Sequence, residues 1–277
     1  MLQTQEKDRV GRHIIIMPMA GAGSRFTEAG IDTPKPLIEV DGKPMFQAAL
    51  ESLNFDNVHS YVFIVRREHV EAPYNIINRI FEAFGMVPSD DRDSDDPTTP
   101  RAPTVIVLDE ETEGAAATLL AAREHLELHT GNTAKGQPCI TVVNCDQIIE
   151  FDTDAYDEVL GDTDAAIMTF ECPEKDPKWS YALADEYGSV ERVAEKRAIS
   201  THATAGVYTW LYPNDMWTSI DLMMAANDRT NGEFYVCPIM NYTLTHFERD
   251  VKIFNVDSMH GVGTPEDLQA YNEKNST

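Results

Sequence analysis

What this 277-residue chain lacks narrows its function first. No apolar run approaches the roughly 20 residues needed to cross a bilayer. The N-terminal MLQTQEKDRVGRH carries no apolar core of the kind a secretory signal needs. Four cysteines, Cys139, Cys145, Cys172 and Cys237, show neither C-x-x-C spacing nor a small-scaffold pattern, which fits a reducing, cytoplasmic setting. Positive charge is scarce, with 22 Lys and Arg against 47 Asp and Glu and a net charge of −25. Non-specific binding of nucleic acid or of an anionic membrane needs clustered positive charge, so neither partner is expected. The acidity suits a saline habitat or simply a solubilising surface. An anionic substrate must then be met by a local group of basic residues.

Such a group stands near the N-terminus, in IIIMPMAGAGSRFTEAGIDTPKPLIEVDGKPM over residues 14–45. Ile14 to Met17 reads as a short buried strand. The small residues Ala20, Gly21, Ala22, Gly23 and Ser24 let backbone amides approach an anion, and Arg25 adds a planar cation suited to phosphate oxygens. Lys35 lies between Pro34 and Pro36, which restrict the backbone and brace the ammonium over the same loop. Two familiar glycine loops are absent. Phe26 stands where G-x-G-x-x-G requires its last glycine, and the next strand ends in Arg66-Arg67 rather than an acid. The Gly-Lys-Ser/Thr of a P-loop does not occur.

Along the chain, α/β signals alternate. Residues 26–31 read as a turn, 37–42 as a short strand and turn, and 46–53 as a helix presenting Phe46, Ala49, Leu50 and Leu53 on one face. A second strand over 61–65 precedes an amphipathic helix over 69–84, interrupted near Pro73. Residues 88–103, PSDDRDSDDPTTPRAP, have the composition of a flexible surface loop. A strand over 104–108 leads to Thr112-Glu113-Gly114 and a helix through Leu126. The strand over 139–143 ends in Asn144-Cys145-Asp146-Gln147, and open α/β sheets bind ligands past such strand ends. Mg²⁺ takes few protein carboxylates plus phosphate oxygens and water, so Asp146 is the expected metal ligand. Asp152-Thr153-Asp154 is a rival D-x-D string, but Tyr156 and Val159 follow at helical spacing and the aspartates read as caps. A strand over 165–170, a hairpin over 181–184 and 190–194, and a strand over 204–210 follow. Helices over 213–226 and 238–244, a strand over 251–256, and a last helix with Thr264 as N-cap and Pro265 at its first position complete the reading.

The ordered set A-G-x-G-S-R-F, P-K-P-L and G-K-P-M resembles the nucleotidyltransferases that activate sugar phosphates and related phosphates, among them small cytidylyltransferases of capsule and phosphonate biosynthesis. The resemblance runs from Ile14 to about Leu268. It implies one domain over residues 1–277: an open, mainly parallel Rossmann-like α/β sheet flanked by helices, with a small acceptor-side β region near 172–210. It implies that an acceptor phosphate or phosphonate attacks the α-phosphorus of an NTP and releases pyrophosphate, with the short chain favouring CTP. Arg25 and Lys35 are then catalytic, residues 20–24 with Glu113 and Gly114 bind the nucleotide, and Asp146 holds Mg²⁺. Glu195, Lys196 and Gly206 match acceptor-side motifs. Glu233 either contacts the acceptor or caps the helix after it. Many relatives carry an Asp where this chain has Gly261, two residues before Gly263, and Asp257 is the nearby substitute. The rival readings are a metal-dependent glycosyltransferase using Asp152 and Asp154, and an inactive nucleotide-binding regulator.

Overall fold

The computed structural model describes residues 12–88, 102–130 and 138–275. The acidic loop read over 88–103 lies, across 89–101, outside the described residues. Ile14, Ile15, Ile16 and Met17 lie within β1 (His13–Pro18) and are at most 1% exposed. Ile14 and Ile16 join one hydrophobic cluster while Ile15 and Met17 join another. Alternate side chains of a strand face opposite ways, so an unbroken apolar run marks a central strand covered on both faces. Burying each such isoleucine contributes roughly 1.5–3 kcal/mol.

α1 (Ser24–Glu28) and a 3-10 turn at Lys35–Leu37 follow, then β2 (Glu39–Val40), β3 (Lys43–Pro44) and α2 (Met45–Glu51). β4 (Val58–Arg66), α3 (Arg67–Val70), α4 (Ile76–Ala83), β5 (Thr104–Leu108), α5 (Ala115–Ala121) and α6 (Arg123–Thr130) come next. The second half holds β6 (Cys139–Val143), β7 (Gln147–Glu150), α7 (Thr153–Gly161), β8 (Ala165–Glu171), β9 (Tyr181–Ala184) and β10 (Val190–Ala194). β11 (His202–Trp210), α8 (Pro213–Ala225), α9 (Ile239–Phe247), β12 (Val251–Asn255), β13 (Ser258–Gly261) and α10 (Pro265–Asn275) close it.

The main sheet is mixed and mainly parallel at its centre, flanked by helices, in the order β10-β9-β11-β6-β1-β4-β5 with β8 and β12 on a branch from β11. β6, β1, β4 and β5 run parallel, and β11 runs antiparallel to β6. The C-terminal ends of β1 and β6 therefore open side by side, at the edge where α/β sheets seat ligands. β11 pairs with β6 through Val207–Trp210 and with β9 at Ala203, which carries the β9–β10 hairpin beyond the end of β6.

Two local readings change and one strand pair is added. Residues 24–28 form a helical turn where 26–31 read as a loop turn, because Ala29 and Ile31 amides fold back onto Arg25 and Phe26 carbonyls. The helix expected through Leu126 breaks at Ala122 into α5 and α6. β7 and β13 form a separate two-stranded sheet among the described residues, and neither has the strict alternation that would mark a four-residue strand. Asp152 caps α7 by accepting the Ala155 amide at 3.0 Å.

Candidate active site

One cleft gathers the phosphate-type residues. Gly21, Ala22, Gly23, Ser24 and Arg25 form a wall with Lys35, and Asp146 lies across from them at the end of β6. Ala20 is buried beneath that wall and does not face the cleft. The Lys35 ammonium donates to Asp146 Oδ2 at 2.5 Å. Burial opposes charge on Lys35, but the Asp146 carboxylate outweighs it and holds the ammonium above the ordinary lysine range. The Pro34-Lys35-Pro36 turn lies against the glycine loop, since a Cβ on Gly23 would press on Lys35 Cβ at 3.0 Å.

At the other end stand Ser180, Glu195, Lys196, Glu233 and Tyr235. Lys196 adopts φ 50° as it leaves the β10 edge. Its ammonium donates to the Tyr235 hydroxyl at 2.7 Å and lies 4.7 Å from that ring's centre. Burial and then the Arg25 charge lower its pKa, against the pull of Glu195 and Glu233. Burial raises the Glu195 pKa, although Ser180 Oγ donates to it at 2.5 Å. Arg25, Lys35 and Lys196 thus share one field inside a chain of net charge −25. Glu233 faces this cleft, and α9 starts after Pro238 without a side-chain cap, so the capping alternative does not hold.

Two expected residues serve the walls from behind. Glu113 turns away from the cleft to Arg229, whose guanidinium donates at 2.8 Å and lies 3.9 Å from the Phe234 ring centre. The Glu113 carbonyl accepts the Phe234 amide at 2.7 Å, and Gly114 packs against Phe234 backbone while itself lining the cleft. Glu111, held by Arg66 at 2.8 Å, faces the cleft where Glu113 was expected. Gly206 has φ 72°, and a Cβ there would overlap Gln147 Oε1. Its carbonyl accepts the Asn144 amide at 2.9 Å, which fixes the turn that carries Asp146.

The sequence matches the Nucleotidyl transferase family over residues 14–276. The chain belongs to that family. No curated protein matches it. Among solved structures, the nucleoside-diphosphate-sugar pyrophosphorylase from Vibrio cholerae RC9 aligns at TM-score 0.71 and 23% identity, covering 94% of this chain and 100% of that one. A UDP-glucose pyrophosphorylase complexed with UDP-glucose aligns at 0.67 and 15%, covering 96% and 98%. The inositol-1-phosphate CTP transferase from T. maritima aligns at 0.64 and 14%, covering 95% and 94%. At these identities the likeness is one of fold.

For this nucleotidyltransferase the metal question turns on its carboxylates. Among the described residues no group of three or more His, Cys, Asp or Glu side chains converges. Asp146 comes off the end of β6 into the cleft, with its carboxylate against Gly263. A single carboxylate beside a phosphate-type loop fits Mg²⁺, which takes its remaining ligands from phosphates and water. Asp257 is not part of the cleft wall; its amide donates to the Glu150 carbonyl at the β12–β13 corner. Gly261 has no room for a side chain, because Trp179 packs on it. Asp152 and Asp154 also lie outside the cleft wall, so the D-x-D site has no support in the structure.

Sequence reasoning missed Ser180 and Trp179 as cleft residues, and it placed Tyr208 and Tyr235 inside acceptor-side motifs without naming them as site residues. Tyr208 carried a signal, since strand alternation puts it on the same face as Thr204, whose hydroxyl it meets at 2.8 Å. Trp179 had none in its own neighbourhood.

Proposed function

We propose that this nucleotidyltransferase condenses an NTP with a sugar 1-phosphate or closely related phosphate, releasing pyrophosphate. The observation that carries the reading is the cleft itself: three cations, Arg25, Lys35 and Lys196, share it with the Asp146 carboxylate at the end of β6, a strand parallel to β1. An acceptor phosphate is already anionic and needs no general base, so catalysis rests on positioning and charge neutralisation. Residues 21–24 offer amides and a hydroxyl to the triphosphate, and Arg25 meets the charge that builds on departing pyrophosphate. Lys35 bridges oxygens near the α-phosphorus, and Lys196 anchors the acceptor phosphate. Asp146 would hold Mg²⁺, which when bound supplies positive charge to the phosphate oxygens. The family resemblance and the names of the structural neighbours support a sugar-phosphate acceptor; CTP is favoured by the chain's resemblance to short cytidylyltransferases.

The test is pyrophosphate release with Mg²⁺, each of four NTPs, and a panel of sugar 1-phosphates, phosphocholine and phosphonates. Acceptor-dependent release with one NTP supports the reading. Release that needs no acceptor, or absence of both release and calorimetric NTP binding, overturns it.

A further inference from the structure

Three tryptophans occur in the chain, and two of them, Trp210 and Trp217, are 1% exposed inside the main core. The third, Trp179, is half-buried in the cleft wall. Its ring meets Phe170 edge-on, with centroids 5.5 Å apart. Gly261 ends β13, and any Cβ there would run into the indole. The absence of a side chain at 261 is therefore what lets the ring lie where it does.

The surroundings place this ring between the two ends of the cleft. Its chain neighbour Ser180 donates to Glu195, on the Lys196 side. Gly263, two residues after Gly261, packs on the Asp146 carboxylate. An apolar surface bordered by carboxylates and a phosphate-binding lysine suits a ligand with a flat C–H face, several hydroxyls and a phosphate. A cationic headgroup is the poorer match, because Lys178 already lies 4.8 Å from the indole centre, held there by Asp267 at 2.8 Å.

We infer that Trp179 is the platform on which the ring of a polyhydroxylated acceptor rests, and that Gly261 is the positioning residue that keeps the indole in the cleft. This rests on the reaction proposed above. The acceptor's hydroxyls donate to Glu195 and Glu233, and its phosphate meets Lys196.

The test separates platform from reaction. Iodide quenching of tryptophan fluorescence in the full-length protein reports on Trp179, since the other two tryptophans are buried, and a Trp179→Phe variant confirms the assignment. Shielding is measured with the panel of sugar 1-phosphates and with phosphocholine, in the presence of Mg²⁺ and NTP. At least one sugar 1-phosphate is expected to shield the indole, and phosphocholine is not. Trp179→Leu should raise the KM of that acceptor roughly ten-fold while leaving the NTP KM unchanged, and Trp179→Phe should recover most of the loss. Gly261→Ala should repeat the leucine phenotype. Shielding by no sugar phosphate, better shielding by phosphocholine, or equal effects of Trp179→Leu on both KM values would overturn the platform. Shielding without pyrophosphate release from the wild-type protein would count against the reaction and leave the platform standing.

Discussion

Lys35 Nζ meets Asp146 Oδ2 at 2.5 Å, tying the Pro-Lys-Pro turn to the end of β6 across 111 residues of chain. The pair holds the lysine against the glycine loop with the carboxylate beside it. Both groups are thus set in place before a triphosphate arrives, which is what preorganised electrostatic catalysis requires.

Arg25→Ala and Lys35→Ala should each leave a folded protein with pyrophosphate release reduced about 10²–10³-fold, the scale of losing one preorganised contact to a charged transition state. Circular dichroism and steady-state rates check this. Full activity in either variant would remove that residue from the mechanism.

Chelation with EDTA should abolish release and added Mg²⁺ restore it. Asp146→Asn should stay inactive at saturating Mg²⁺, because the amide offers the metal no charge. If Asp146→Asn responds to metal as the wild-type protein does, the metal is held elsewhere.

Gly206→Ala combines a backbone at φ 72° with an overlap on Gln147. The strain alone costs about 1–3 kcal/mol. Urea unfolding should show at least that loss. Activity should fall further than stability explains, since the Asn144–Asp146 turn hangs from the Gly206 carbonyl.

Asp152→Ala removes the α7 cap and should cost about 1 kcal/mol of stability while pyrophosphate release stays intact. A dead but folded Asp152→Ala protein would revive the glycosyltransferase alternative.

His69 is 1% exposed, and burial followed by the Arg66 charge lowers its pKa to about 4, with Glu68 opposing. Between about pH 6.5 and 4 the unfolded chain binds a proton that the folded chain does not. Stability therefore falls as pH falls through that window, by at most about 1.4 kcal/mol per pH unit from this group. The difference in unfolding free energy between wild type and His69→Gln, followed across the window, isolates it from the titrating carboxylates. A constant difference would mean His69 charges normally in the fold.

What the amino-acid sequence decided by itself is what local physics decides. The isoleucine run had to be a two-faced central strand, Asp152 and Thr264 had to cap helices, and Gly-Ala-Gly-Ser-Arg had to leave open backbone beside a cation. Each rests on burial, capping or backbone freedom within a few residues. Which side chains share the cleft rests on sheet order instead. β11 reaches past β6 to β9, and so Lys196 meets Tyr235 from 39 residues away and Trp179 lies against Gly261. Glu113 and Glu111 show the same division. Their spacing to Gly114 could not tell which would face the ligand. Arg66, at the end of β4, and Arg229, after α8, settled that by drawing one carboxylate toward the cleft and the other away.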